Sequence, residues 1–280
     1  MTIDATPLSP AIGALVRGVD LSRPLDAATQ AALRQVFHDH VILLIRDPRL
    51  DEDRLLRAGG FLGTVGKRGR PSTVQREANP YITKVSNIRE NGRLIGSLPD
   101  GEMLFHADAS FFEMPHRASF LYAVEIPSVG GNTLFANMYK AYELVPDALK
   151  RQLEGRTVVQ EYDYATYEKA DREAGQVNNV RRHSHPIFIT HPATRRRSLF
   201  VSRLMTRAIE GLPKAESDAI LNELFGYAED PSVIYEHVWR PGDFLAWDNL
   251  CSNHARTDFS AAERRLLLRG TITGDYRPRA

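Results

Sequence analysis

Apolar residues recur at helical spacing across residues 25–38, where Ala31, Leu33, Val36 and Phe37 share one broad side and Asp26 stands in capping position. The run Val41-Ile42-Leu43-Leu44-Ile45 follows at once. It is too short for a core helix and suits a strand covered on both faces. Residues 51–61 predict a second helix that ends near Gly59-Gly60. Residues 118–126 predict a strand that leads into a tight Gly130-Gly131 turn, with Thr133 opening the next strand. Residues 138–153 and 214–227 predict helices, and residues 186–190 and 198–201 a hairpin across Ala193-Thr194-Arg195. The closing strands are expected at 234–239, 244–247 and 266–272. Residues 88–99 read as a loop over a site. Residues 158–182 are polar and Tyr-rich without a clear period, and predict a mobile insert whose Tyr162, Tyr164 or Tyr167 would close over substrate. Periodicity therefore predicts a mixed, β-rich fold.

Composition narrows the function classes. The 280 residues are 42% hydrophobic and 25% charged, ordinary for a globular protein and enough for a sizeable core. A formal net charge of +1 gives no electrostatic reason to expect nucleic acid or an anionic membrane as partner. The lone Cys251 excludes an intrachain disulfide and suits a reducing compartment, and it reads as a buried bystander thiol. No basic-then-apolar leader opens the chain, and no apolar run approaches the ~20 residues of a spanning helix. A soluble, cytoplasmic protein of one domain over residues 1–280 is expected.

His106 and Asp108, with the distant His254, offer two imidazoles and one carboxylate, the donor set that holds non-haem ferrous iron on one face and leaves the other open. Two positions apart on an extended backbone, His106 and Asp108 point the same way, so one strand end would grip one metal. His254 must arrive from a remote strand. Eleven residues after His254 comes Arg265, and four later Arg269. On a strand these two share a face with Leu267 and Thr271, and burying guanidinium groups on an otherwise apolar strand is costly unless each meets an anion. Surface ion pairs are the plainer reading of both. A hydroxyl at Thr133 would add a hydrogen bond to the anion held by Arg265, although a β-branched residue opening a strand needs no such role. The remaining histidines, His183 and His185 among them, read as surface or hydrogen-bonded core residues.

The order His106-x-Asp108, Gly130-Gly131-Asn132-Thr133, Trp247-Asp248-Asn249, His254 and Arg265-x-x-x-Arg269 resembles the TauD/TfdA family of iron(II)- and 2-oxoglutarate-dependent dioxygenases. The likeness covers nearly the whole chain. Glu210-Gly211-Leu212-Pro213, Trp239 and the Pro241-Gly242-Asp243 turn resemble the branch containing 2,4-dichlorophenoxyacetate dioxygenase more than taurine dioxygenase. The resemblance implies a double-stranded β-helix, or jelly roll, with helical inserts (an α+β chain dominated by strands). It implies that His106, Asp108 and His254 ligate Fe(II), that Arg265 and Thr133 hold the distal carboxylate of 2-oxoglutarate, and that Arg269 grips the anionic head of the primary substrate. It also implies O2 as co-reactant, succinate and carbon dioxide as products, and a homo-oligomer, dimer or tetramer.

Departures from the pattern bear on the substrate. Glu102 stands where the taurine branch keeps asparagine, and residues 60–83 contain no histidine, so taurine is not expected. Lys67, with Arg68 and Arg70, lies where a cation would touch an acidic substrate, although a solvated basic loop is the plainer reading of these residues. Ser110, next to the ligand pair, is a further substrate-binding candidate. Asp108 fills the carboxylate position, which speaks against a halogenase. A small organic anion such as an aryloxyalkanoate, another carboxylate or a sulfonate is the expected substrate. The rival readings are a zinc hydrolase or lyase on the same ligands and a non-catalytic jelly-roll binding protein.

Overall fold

The computed structural model describes residues 3–67, 79–97, 103–162 and 181–280. In chain order the strands of its two main sheets are β1 (Asp4–Pro7), β2 (Ala14–Arg17), β3 (Ile42–Ile45), β4 (Thr83–Ser86), β5 (Met103–His106), β6 (Ala118–Glu125), β7 (Thr133–Asn137), β8 (Ile234–His237), β9 (Phe244–Asp248), β10 (Ser252–Arg256) and β11 (Leu266–Ile272). One sheet runs β1-β2-β3-β9-β6-β11-β4 and the other β8-β7-β10-β5. Neighbours are antiparallel except β2 with β3. Strands far apart in the chain lie side by side, and apolar residues of both sheets meet in one cluster. This is the expected jelly roll.

The apolar run at β3 shows how the layers form. Ile42 and Leu44 join Phe135, Leu245, Trp247 and Leu267 between the sheets. Leu43 and Ile45 face the other way, onto Leu33 and Phe37 of α1 (Ala27–His40) and Leu55 of α2 (Glu52–Gly59). Both faces of the strand are buried, which is why its pattern does not alternate. Asp26 caps α1 by accepting the Thr29 amide at 2.7 Å, and Asp51 caps α2 by accepting that of Arg54 at 2.8 Å. Outside the smaller sheet, Ala136 packs with α3 (Met138–Leu144), α4 (Asp147–Leu153) and α5 (Lys214–Ala228).

Several elements depart from expectation. The helix predicted over 138–153 is two helices, because Pro146 forces Val145 out of the helical region to ψ 128°. Within 88–99, Arg89–Glu90 pairs with Arg93–Leu94 as a small hairpin, and residues 98–99 lie outside the described residues. The insert at 158–182 begins and ends as paired strands, with Thr157 opposite Pro186 and Tyr162 opposite Arg181. Tyr164 and Tyr167 lie outside the described residues, as do Arg68, Arg70 and Glu102. Among the described residues no helix is long and apolar enough to cross a membrane.

Candidate active site

β5 and β10 are hydrogen-bonded neighbours, and their register sets His106 directly opposite His254, with ring centroids 4.1 Å apart. Two imidazoles from remote segments thus become a cross-strand pair. Asp108 is the exception to the strand reading. β5 ends at His106, and Asp108 sits in the turn beyond it, before Ala109 at φ 60°. Long-range contacts hold it there. Asn249 accepts the Asp108 amide at 3.3 Å and the Trp247 indole N–H at 3.0 Å. Ser119 donates to Asp108 Oδ2 at 2.5 Å and accepts from the Asn249 side-chain amide at 3.1 Å. Asp108 Oδ1 is left 3.9 Å from His106 Nε2. Donor atoms of the three residues lie within 4.8 Å of one another, and all three residues are buried.

Protonation suits a divalent cation. His106 Nδ1–H donates to the Leu104 carbonyl at 2.9 Å, which leaves Nε2 as the lone-pair nitrogen. Burial pushes the His106 imidazole down from its ordinary value; burial and His106 together push His254 down to about 3. Burial opposes ionisation of Asp108, but Arg269 and the two histidines hold its carboxyl below the usual range. The set is two neutral imidazoles and one carboxylate. His254 Nδ1 is buried without a hydrogen-bond partner.

His191, Asp248 and Cys251 form a second buried cluster of metal-capable residues among those described, and its hydrogen bonds run the other way. His191 Nδ1 accepts the amides of Ala193 and Thr194 at 3.3 and 3.1 Å, so Nε2 carries the proton and donates to Asp248 at 3.1 Å. Neither nitrogen of His191 is left with a free lone pair for a metal. Burial pushes the Cys251 thiol up, in keeping with a bystander. This cluster ties the 191–196 loop to the turn that carries Asn249.

A cavity beside the histidines is lined by Thr133, Arg256, Arg265 and Arg269 together with His106 and His254. Arg265 lies one residue before β11, and the pairing with β6 slips between Leu266 and Leu267, yet it still reaches the same cavity as Arg269. Arg265 is 2% exposed. Its Nε and Nη2 donate to the Gly131 carbonyl at 3.3 and 3.2 Å, and its Nη1 has no partner. No carboxylate pairs with it among the described residues. Burial, then the charge of Arg256, pulls its pKa down to about 9. Gly131 makes the approach possible: it holds φ +64°, and a Cβ there would stand 3.1 Å from Arg265 Nε. Thr133 accepts the Trp239 indole N–H at 2.9 Å. Arg269 Nη1 is 3.5 Å from Asp108 Oδ1.

Two candidates stand apart. Lys67 is exposed, its ammonium 5.9 Å from the centre of the Tyr81 ring, and does not line the cavity. Ser110 is buried with its hydroxyl unpartnered and does not line the cavity either. Sequence reasoning missed Arg256, although it follows His254 by two residues and shares its face; the apolar pattern does not mark the bounds of the strand that carries them. It also missed the bracing of Asp108 by Ser119 and Asn249, which no local signal marks.

The family model described as taurine catabolism dioxygenase TauD, TfdA family matches residues 4–271. Pentalenolactone F synthase of Streptomyces avermitilis is 33% identical over 92% of this chain and 89% of its own. The alpha-ketoglutarate-dependent 2,4-dichlorophenoxyacetate dioxygenase of Cupriavidus pinatubonensis is 29% identical over 98% of this chain and 99% of its own. A solved structure of a taurine dioxygenase from Burkholderia xenovorans superposes with a TM-score of 0.83 at 27% identity, covering 99% of this chain and 91% of its own. With the motif order of the sequence now standing in a jelly roll around one cavity, the chain belongs to the TauD/TfdA family of dioxygenases.

Proposed function

We propose that this chain, as one domain, is an iron(II)- and 2-oxoglutarate-dependent dioxygenase that hydroxylates a small organic anion. One observation carries the reading: a buried guanidinium, Arg265, has an unpartnered Nη1 in the same cavity as two neutral histidines, whose donor atoms lie within 4.8 Å of the Asp108 carboxylate. A dicarboxylate that also chelates a metal answers both needs. His106, Asp108 and His254 would hold the iron, and Arg265 with Thr133 the distal carboxylate of 2-oxoglutarate. When bound, iron and 2-oxoglutarate supply the oxidising chemistry, in which O2 and 2-oxoglutarate give succinate, carbon dioxide and a hydroxylated substrate carbon.

The chain's own part is binding, aiming and exclusion of water. Ser119 and Asn249 fix the Asp108 carboxylate, and the strand register fixes the two imidazoles. Arg269, 3.5 Å from Asp108 Oδ1, would aim an anionic head group. Phe111 and Tyr162 stack 5.2 Å apart against Met103, which also lines the cavity, and give an apolar wall suited to the body of an aryloxy- or arylalkanoate. Relatives named for (S)-phenoxypropionate, 2,4-dichlorophenoxyacetate and sulfate esters support that substrate class. A hydroxylated carbon bearing an ether or ester oxygen would collapse to a carbonyl and release the leaving group.

The test is anaerobic reconstitution with Fe(II) and 2-oxoglutarate, a screen of carboxylates, sulfonates and sulfate esters for perturbation of the metal-to-ligand absorption band, then addition of O2. Succinate released in step with O2 consumed is the expected result. Hydrolysis of a substrate with zinc bound, no O2 consumption and no succinate would refute the proposal in favour of the hydrolase reading.

A further inference from the structure

We propose that Trp239 is a positioning residue for the cosubstrate: its indole N–H occupies the Thr133 oxygen, so that the hydroxyl proton of Thr133 is presented to the distal carboxylate beside Arg265. The inference rests on the 2-oxoglutarate reading above. Trp239 lies just past β8 and is 4% exposed, as is Thr133. The bond between them is 2.9 Å long. An indole N–H only donates, so Thr133 Oγ1 is the acceptor, and its single proton has no acceptor among the described residues. Arg265 Nη1 in the same cavity also lacks one. Two donor groups without acceptors, converging on one cavity, match the two oxygens of a carboxylate.

The indole is held as firmly as the hydroxyl it orients. The His237 ring meets Trp239 edge-on, with centroids 4.5 Å apart and planes at 89°. His237 is pinned at both nitrogens: Nε2–H donates to Asp243 Oδ2 at 3.1 Å, so Nδ1 accepts the Tyr235 hydroxyl, also at 3.1 Å. Asp243 in turn accepts the Arg240 amide at 3.0 Å and faces Arg46 at 3.4 Å. Strand register completes the frame, because His237 on β8 stands opposite Thr133 on β7. A buried polar chain thus runs from Asp243 to the cavity wall. Trp239 also packs in the core between the sheets, and a purely packing role predicts a different outcome in the experiment below.

The experiment compares wild type, Trp239→Phe, Trp239 replaced by benzothienylalanine (the same bicyclic shape with sulfur in place of N–H), Thr133→Val, and the Phe and Val changes combined. Titration calorimetry on Mn(II)-loaded protein reads the affinities for 2-oxoglutarate and for oxalate, which chelates a metal but has no distal carboxylate. Loss of one oriented hydrogen bond should weaken 2-oxoglutarate by about fivefold to tenfold in both Trp239 variants. Mn(II) and oxalate affinities should stay within about twofold of wild type, and the double variant should bind no worse than Thr133→Val. Should Trp239→Phe melt too early to assay, the isostere decides. Unchanged 2-oxoglutarate affinity in the isostere overturns the inference alone, as does an equal loss for oxalate or additive losses in the double variant. Wild-type protein that binds Mn(II) but not 2-oxoglutarate overturns this inference and the functional reading together.

Discussion

Arg265→Met removes the charge that the cavity holds without a counterion and keeps the side-chain length. The pKa of Arg265 falls from its ordinary value to about 9 through burial and the neighbouring Arg256. That is more than three powers of ten in the proton equilibrium, on the order of 4 kcal/mol held against the charged form at about 1.4 kcal/mol per power of ten. The sign follows from linkage: a base whose folded pKa lies below its unfolded one destabilises the fold at all pH below about 9, and the penalty fades as pH rises toward the unfolded arginine value. Against this, Met forfeits the bond to the Gly131 carbonyl, about 2 kcal/mol for a charged donor. In the absence of metal and cosubstrate, thermal or urea unfolding at pH 7 should therefore show Arg265→Met equal to wild type or more stable by up to ~2 kcal/mol, a few degrees in Tm. Adding 2-oxoglutarate with Mn(II) at about a hundred times its Kd should stabilise wild type by about 2.7 kcal/mol. The variant should gain only what Mn(II) alone supplies. A loss of ~3–5 kcal/mol in the ligand-free variant is the mark of a broken buried pair and would show that Arg265 already has its anion.

Two further outcomes follow from other groups. Arg269→Ala should raise the KM of the primary substrate at least tenfold while the Kd of 2-oxoglutarate stays within about twofold, since a bidentate carboxylate clamp is worth a few kcal/mol and Arg269 stands at Asp108 rather than at Gly131; equal losses for both ligands would refute the division of labour between Arg265 and Arg269. His185, buried with its Nε2–H on the Phe112 carbonyl at 2.9 Å, is pushed by burial down to about 4. The unfolded chain takes up a proton below pH ~6.5 that the folded one refuses until about 4, so stability falls across that window, by on the order of 3 kcal/mol. His185→Gln should flatten that part of the urea-unfolding profile, and an unchanged slope would assign the acid loss elsewhere.

The grouping of the candidate site was readable because few residue types suit the proposed chemistry. His106, Asp108, His254, Thr133, Arg265 and Arg269 all meet around one centre, as their types and order suggested. Their local geometry was less readable. Asp108 looked like a strand residue because His-x-Asp suits a pleat; what puts it in a turn is Asn249, 141 positions away, and Ser119. Arg265 looked like a member of a regular alternation, and the slip beside Leu266 that shifts its register has no signature in the apolar pattern. The fold was legible where burial dictates composition, as at β3, β6, β9 and the capped α1 and α2. The break at Pro146 was in plain view, and the apolar period that runs across it outweighed it.

β10 explains why the strand most important to the proposed function was the hardest to see. Ser252-Asn253-His254-Ala255-Arg256 contains one apolar residue, yet all five are buried. Inward positions on a strand that carries a candidate metal ligand and a cavity-lining arginine cannot be filled with Val or Leu, so the alternation that betrays other strands is absent. Its stability comes from polar satisfaction instead. Ser252 donates to the Asp248 carbonyl at 2.6 Å and Asn253 to that of Val201 at 2.8 Å, while β7 and β5 pair with it on either side. A search by hydrophobic period is therefore blind where the site is densest. A short polar stretch with no Gly or Pro, one tight turn after a largely apolar strand such as β9, is better read as a buried strand than as a loop.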